Sequence, residues 1–472
     1  MKEKKVIVWF RQDLRLADNP ALYEAVKIGS IIPVYIFDQT DAKNFALGDA
    51  SRWWLHESLQ SLKHDLKNHL IIAQGNSLKV LNQIIKKYGA CAVYWNRCYQ
   101  PWVINRDIKI KKSLLDVGID TQSFNGSLLW EPHEILKSDG TAYKVFTAFY
   151  KNGCLKAQAP REILSRPRTI DFAKLTNIGE ISDLGLMKKN DVALRCAKYW
   201  QPTESKAYQL LQDFIKNILS GYKVGRDFPA LSQTSRLSPY LQFGQISPHQ
   251  VWYGAKDQGY QHASRVDVQH FLTELVWREF SYNVLFHTPS VMHKNLQKKF
   301  DHLTWRSSTS DLKSWQNGLT GYPLVDAGMR ELWQTGYMHN RVRMIVASFL
   351  IKNLRIDWRE GEAWFWNLLV DADLASNSFN WQWVAGSGYD AAPYFRIFNP
   401  TTQGKKFDKY GDYVKHWVPE LKNMPDKYLY EPWLASVEIL KKAKVELEQN
   451  YPKPIVDLKL SRQQALDNFK KL

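Results

Sequence analysis

Four short segments from residue 234 onward combine residue types that could do chemistry. In Thr234-Ser235-Arg236-Leu237-Ser238-Pro239, three hydroxyls and one arginine precede a proline suited to a helix start. The stretch Gly221-Tyr222-Lys223-Val224-Gly225-Arg226-Asp227 leads into it. Hydroxyls, backbone N–H groups and a helix N-terminus can cradle a phosphate. The same residues also fit a capped turn with a surface arginine. In Glu274-Leu275-Val276-Trp277-Arg278-Glu279-Phe280, Glu274, Trp277 and Arg278 stand at i, i+3 and i+4 and share one helix face. A carboxylate, an indole and a guanidinium on one face suit a pocket that stacks on a flat ring and hydrogen-bonds it. An amphipathic helix with one ion pair and one core tryptophan fits as well.

Met338-His339-Asn340-Arg341-Val342-Arg343-Met344 places an asparagine and two arginines at the start of an otherwise apolar helix. Polar groups on a buried helix need partners, and a charged ligand would supply them. In the fourth segment, Asp371-Ala372-Asp373-Leu374-Ala375-Ser376-Asn377 runs into Asn380-Trp381-Gln382-Trp383. Two carboxylates beside two indoles, with Asn377 between, have the makings of a site. A metal reading of the aspartates lacks a third ligand of the right kind nearby, and no metal is expected.

The elements that must carry these segments follow from hydrophobic period. Val6–Phe10, Ile31–Phe37, Leu70–Gln74 and Ala90–Trp95 read as buried strands. Ala21–Lys27, Leu55–Lys67 and Leu78–Tyr88 read as the helices between them, the first opened by Asn19-Pro20 as N-cap and first helical residue. Residues 1–133 are therefore expected to form a doubly wound α/β domain with a parallel sheet. No G-x-G-x-x-G follows the first strand, which argues against an ordinary NAD fold. Residues 134–203 are less regular and read as a connector over the surface. Ala207–Leu219, Val268–Phe286, Leu324–Gly336, Arg341–Leu354 and Glu362–Leu369 read as helices, so residues 204–472 are expected to be all-α.

Composition narrows the partners. The chain has 472 residues, with 64 Lys plus Arg against 47 Asp plus Glu, a formal charge of +17. Such a field attracts polyanions, nucleic acid first among them, although a merely basic enzyme has the same balance. The four cysteines, Cys91, Cys98, Cys154 and Cys196, form no C-x-x-C pair, which speaks against a disulfide framework or a zinc site. The apolar run after the basic N-terminus is too short for a signal peptide, and no run approaches a membrane span. A cytoplasmic location is expected. The 19 tryptophans are either core packing or, in part, redox and stacking groups.

Taken in order, the four segments resemble the flavin-binding domain of the photolyase–cryptochrome family. The opening Trp9-Phe10-Arg11-Gln12-Asp13-Leu14-Arg15-Leu16-Ala17-Asp18-Asn19-Pro20 is similar to that family's first motif. So are Tyr143-Lys144-Val145-Phe146-Thr147 and Ala391-Ala392-Pro393-Tyr394-Phe395-Arg396-Ile397-Phe398-Asn399-Pro400. The resemblance covers essentially the whole chain. It implies FAD bound in a folded-back shape. Tyr222, Thr234, Ser235, Arg236, Leu237 and Ser238 would hold its phosphates and ribitol. Phe271, Asn340, Arg343, Asp371, Ala372, Asp373 and Asn377 would line its rings, with Phe271 where close relatives often have Trp. Trp277 and Trp383 would flank a flipped-out lesion, and Glu274 would hydrogen-bond its bases, a mode of readout suited to damaged bases. Arg226, Arg278, Asn340, Arg341, Met344, Arg396 and Gln403 would touch the DNA. Trp381, Trp358 and Trp305 would relay electrons from the surface to the flavin.

The resemblance also implies the chemistry: reduced, anionic FAD absorbs blue light, lends an electron to the dimer, and receives it back after the ring opens. Asn377 matches the position near flavin N5 where photolyases have Asn, whereas plant cryptochromes have Asp there and insect ones Cys. Asn340 and Met344 replace two of the three histidines of the (6-4) enzymes' His-His-x-x-x-His. The implied placement is class I, acting on cyclobutane pyrimidine dimers, as a monomer. No long signalling tail is expected after Leu472, in keeping with a repair enzyme. The alternative is a blue-light receptor of the cryptochrome type that binds FAD without repair. A second antenna chromophore, a folate or a deazaflavin, is common in the family. The glutamate that relatives use for folate in the fifth-strand region is missing from Gln100-Pro101-Trp102-Val103-Ile104-Asn105-Arg106-Asp107, which leaves the antenna open.

Overall fold

The computed structural model describes residues 4–187 and 190–472. By compactness the chain divides into two units: Met1–Ser220 with Ser235–Pro289, and Gly221–Thr234 with Ser290–Leu472. The helices expected from residue 204 onward fall in both.

The first unit is built on five parallel strands: β1 (Lys5–Phe10), β2 (Ser30–Phe37), β3 (Ile71–Gln74), β4 (Ala92–Asn96) and β5 (Asp120–Phe124). Their order is β3-β2-β1-β4-β5, so the direction in which successive strands are added reverses at β1, with β4 on its other side. Val6–Phe10 and all of β2 are buried, as a strand covered on both faces must be. In register, Trp9 pairs with Val34 on one side and Trp95 on the other. Pro33 lies inside β2, between the bridge Ile31↔Phe172 and the first β3 pair Val34↔Ile71, where a missing N–H breaks no ladder.

Helices α1 (Pro20–Ala25), α2 (Asp49–Asp65), α3 (Ser77–Tyr88) and α4 (Pro101–Asp116) cover the sheet. Asn19 caps α1 by accepting from the Leu22 N–H, with proline at the first position as expected. Helix α2 begins at Gly48-Asp49, before its first long apolar run, and so earlier than its hydrophobic period suggested. One expectation is corrected here. Gln100–Asp107 is no fifth strand: Gln100 precedes Pro101 at the start of α4, and Val103, Ile110 and Leu114 are its buried face. The fifth strand is Asp120–Phe124, an edge strand with Thr121 alone buried, so it carries no apolar run to betray it. The 134–203 connector is tied to the sheet. Ile31 N–H donates to Asp171 O (2.7 Å), and Ile72 N–H donates to Ile178 O (2.6 Å).

The opening motif is a buried polar staple. Arg15 is fully buried and donates to Asp18 O, Gly126 O (2.7 Å) and Gly244 O (2.8 Å). Asp18 takes Arg161 (2.6 Å), and Glu204, on α5 (Glu204–Asp213), accepts from the Leu16 and Ala17 N–H groups. Buried charges persist only when paired in this way. Gly244 has φ +68° and a Cβ there would sit 2.1 Å from Gln12 O, so only glycine lets the two segments meet. Trp54 is packed among Trp53, Trp200, Tyr240 and Phe243, an example of tryptophan as core filler. The unit's longest helix, α6 (Arg265–His287), carries the second chemical segment.

The second unit is helical. Its framework includes α7 (Pro323–Thr335), α8 (Asn340–Ser348), α9 (Trp358–Leu368), α10 (Leu374–Ala385) and α11 (Pro400–Phe407). Phe349–Asn353 continues α8 as a π-type turn, which is why the period ran unbroken to Leu354. Among the described residues no helix is long and apolar enough to cross a membrane.

Candidate flavin and lesion site

Each unit holds its own constellation. In the first, Trp277 lies flat on Phe146, with ring centroids 3.6 Å apart and planes 5° from parallel. Phe280 meets both rings edge-on. Phe146 belongs to the Tyr143–Thr147 segment, so that motif's physical role is to brace the indole. The indole is half-buried and held in one pose. Glu274, one turn earlier on α6 and also half-buried, has His270 Nε2 3.8 Å from its carboxylate. Arg278 points its guanidinium inward: Nη1 donates to Ser127 O (2.9 Å), and the group lies 4.7 Å from the centre of the Tyr282 ring. Behind it, Glu279 is buried and accepts from the Leu129 N–H (2.8 Å) and Trp130 N–H; burial pushes its carboxyl up to about 7.

The phosphate-type segment sits in the same unit from Ser235 onward. Ser235 Oγ accepts from the Leu237 N–H (3.4 Å), and Leu237 is buried. Arg236 holds a left-handed backbone at φ 52° and lays its guanidinium 4.4 Å over Trp200. Non-glycine residues held there mark places where the surroundings over-determine the chain. Phe271 is buried against Phe214, with centroids 4.5 Å apart, and fills its place as a flat apolar ring.

The second unit holds the rest. Arg343 donates from Nη2 to both Asp371 oxygens (3.1 and 2.9 Å) and from Nε to Met338 O (2.7 Å). Asp373 caps α10 by accepting from the Ser376 N–H (2.7 Å). The two aspartates flanking Ala372 thus have protein partners, a cation and a helix end. Asn377 is half-buried on the first turn of α10, and its Nδ2 donates to Glu362 O (3.1 Å). That bond aims the amide. Asn340 opens α8 exposed, and Met344 stands one turn later on the same face, half-buried. Tyr222 is buried, with the Arg226 guanidinium 5.7 Å from its ring, and Thr234 is half-buried.

Arg341 Nη2 pairs with Asp227 (2.6 Å), and its guanidinium lies 4.5 Å over Phe407. Gln403 is one turn before Phe407 on α11, so it shares that face. Trp383 is half-buried, and its carbonyl accepts from the Ala392 N–H (3.1 Å) at the start of the 391–400 loop. Arg396 is exposed while its carbonyl takes the buried Lys352 ammonium (2.9 Å).

Of the three tryptophans expected to form a relay, Trp381 is buried with Phe365 at 5.0 Å and Trp315 at 6.4 Å. A Cβ on Gly361 would come within 2.1 Å of Trp381 Cη2, so α9 packs directly on that indole. Trp358 starts α9, fully buried, with Nε1 donating to Asn295 (3.0 Å). Trp305 is half-buried beside Phe300, Leu303, Tyr394 and Ala465. Trp305 is thus half-buried, and Trp358 and Trp381 are buried.

Glu362 was not among the sequence candidates, because no motif distinguishes it from a surface helix glutamate. It is 5% exposed, its carboxyl accepts from the Ser378 hydroxyl, and burial pushes it up to about 8. The folded state therefore keeps a proton that the unfolded chain releases between about pH 4.5 and 8. Stability should fall as pH rises through that window, and Glu362→Gln should flatten the slope. Urea midpoints at pH 5.5 and 8.5 check this; an unchanged slope in the variant would exclude Glu362 as its source.

Within each unit, taken by itself, the donors are of types that suit a part of FAD. Hydroxyls and an arginine suit a diphosphate, while an amide, a carboxylate and a paired guanidinium suit the edge of an isoalloxazine ring. Residues 6–167 match the family described as DNA photolyase, and residues 271–471 match the FAD binding domain of DNA photolyase. The chain is 48% identical to a deoxyribodipyrimidine photo-lyase of Agrobacterium fabrum, over 99% of this chain and 98% of that protein. It is 37% identical to cryptochrome-2 of Arabidopsis thaliana, over 98% of this chain and 78% of that one. Among solved structures, a bacterial class III photolyase from Agrobacterium tumefaciens superposes with a TM-score of 0.96 at 46% identity, covering 100% of this chain and 98% of that one.

Proposed function

The chain belongs to the photolyase–cryptochrome family, and from that premise we propose that it repairs cyclobutane pyrimidine dimers in DNA with light. The observation that carries this reading is the Trp277 platform. An indole clamped flat on Phe146, with a half-buried carboxylate one turn away, is built to receive a flat polar ring. Glu274 would hydrogen-bond the stacked bases, and Asn377, aimed by Glu362, would offer the flavin an amide that carries no exchangeable charge. When bound and reduced, FAD supplies the light-driven electron that opens the dimer. The protein's share is to hold donor and acceptor in a fixed pose and to keep both from water.

Within the family, identity to the Agrobacterium tumefaciens structure favours class III over the class I placement that the motifs implied, and we propose that grouping. The similarity to cryptochrome-2 makes light reception the rival reading. One experiment separates them. Reduced, FAD-loaded protein is illuminated with an oligonucleotide holding a thymine dimer, and restored thymines are measured. Repair supports the proposal; dimers left intact by a protein that binds FAD and the oligonucleotide would favour the receptor. Glu274→Ala should keep FAD and lower the quantum yield of repair, since an unpaired base edge in the pocket costs about 1–3 kcal/mol. An unchanged yield would remove Glu274 from the lesion.

A further inference from the structure

We propose that Lys352 is a positioning residue for DNA binding: its ammonium, with the Ser348 hydroxyl, clamps the chain at Arg396 and Phe398 and so presents Phe395 and Arg396 to the nucleic acid. The inference rests on the repair reading above and adds to it the residue that sets this contact.

The clamp is made of two hydrogen bonds from one stretch of helix. Ser348 ends α8, and Lys352 lies one turn on, in the π-type turn that continues it. Both are fully buried, and both reach the 391–400 loop. Ser348 Oγ accepts the Phe398 N–H (3.2 Å), and Lys352 Nζ donates to the Arg396 carbonyl (2.9 Å). Just before these anchors the loop folds on itself: the Arg396 N–H donates to Pro393 O (2.9 Å) and the Ile397 N–H to Phe395 O (3.0 Å). Tyr394 and Ile397 pack in the cluster of Phe300, Leu303 and Ala465, and Tyr394 stacks on Phe469 with centroids 4.7 Å apart. Phe395 and Arg396, between them, stay outside; Phe395 is 63% exposed. An exposed aromatic ring beside an exposed guanidinium suits nucleic acid, the ring to stack on a base and the cation to take a phosphate.

Stability does not explain the lysine. Among the described residues Lys352 forms no ion pair, and the charge that acts on it is Arg396, which repels it. The Tyr394 ring lies 5.3 Å from the ammonium. Burial first, then Arg396, pushes the amine down to about 7. A buried ammonium without a carboxylate costs stability, and an apolar side chain of the same length would pack there at less cost. What the ammonium adds is a strong donor for the Arg396 carbonyl. It stands on a fixed base, because Asn353, the next residue, donates to Ser461 Oγ (3.0 Å) on the helix Leu458–Phe469. A turn held in its bound shape beforehand loses less conformational freedom when DNA arrives, and that saving appears as affinity.

The test removes the donor and keeps the volume. FAD-loaded Lys352→Met should bind a thymine-dimer oligonucleotide about tenfold more weakly, the size of one charge-assisted contact no longer held in place. The loss should appear in the oligonucleotide concentration that half-saturates repair and not in the yield at saturation. Because the clamp acts through Arg396, the two effects should not add: Arg396→Gln should weaken binding about tenfold in the wild-type background and less than about twofold in Lys352→Met. The urea midpoint of Lys352→Met at pH 6 should not fall, since methionine removes an uncompensated charge. Affinity equal to wild type would overturn the proposal. So would full additivity with Arg396→Gln, which would mean that Lys352 acts elsewhere. A lower midpoint accompanying the weaker binding would make Lys352 a folding residue and overturn it too. If the wild-type protein itself fails to bind the oligonucleotide, the repair reading falls and this inference falls with it.

Discussion

Arg343→Met should leave the protein largely free of flavin and strongly destabilised. Three bonds depend on this guanidinium: two to Asp371 and one to Met338 O. Asp371 has a side chain only 4% exposed, so water cannot replace the lost partner. Removing one member of a buried ion pair typically costs about 3–5 kcal/mol, because the other charge is left uncompensated. Methionine preserves the volume and isolates the electrostatic loss. The released Asp371 also lies beside Ala372 and Asp373, where α10 begins, so the strain falls on the helix that carries Asn377. The ratio of flavin to protein absorbance and the urea midpoint measure both effects. Full flavin content with an unchanged midpoint would mean that the pair is dispensable. Arg343→Lys should lie between, since an ammonium cannot form the two-pronged contact with the carboxylate.

The parts of this site that sequence could show were those with a period or a fixed offset. Glu274, Trp277 and Arg278 share a face because helix geometry puts them there, and the structure keeps them on α6. Their environments were not legible. Nothing in the order of residues says that Trp277 stacks on Phe146, more than 100 residues earlier, or that Arg278 turns toward Ser127 O. The same limit hid Glu362, whose burial comes from long-range packing. The edge strand Asp120–Phe124 escaped because it is polar on most positions, and Gln100–Asp107 was misplaced because a motif comparison was set against the plain helix signal of Pro101. The opening Trp9–Pro20 motif matched a family, yet its physical content is the Arg15 and Asp18 network that ties the start of the chain to residues 126, 161 and 244. His339 was read only as the remnant of a histidine-rich stretch; in the structure it caps α8, its ring accepting the Arg341 N–H.

Trp381→Phe should lose most photoreduction of the oxidised flavin while sparing repair by protein reduced beforehand. The indole is 3% exposed and touches Phe365 and Trp315, so a phenyl ring fills most of its space. Its removal costs packing of about 1–3 kcal/mol, well short of unfolding a stable domain. What disappears is the oxidisable ring on which α9 rests through Gly361. Trp358 begins that same helix, but a phenyl ring would not readily give up an electron, so no vacancy would form there for Trp358 to refill. Repair needs only the electron already on the reduced flavin, which is why the two activities should separate. Flash photolysis of oxidised protein, and dimer repair after chemical reduction, read them independently. If photoreduction survives in Trp381→Phe and Trp358→Phe alike, the electrons reach the flavin by another route. If repair by pre-reduced protein fails as well, Trp381 holds the site in shape and is not a relay.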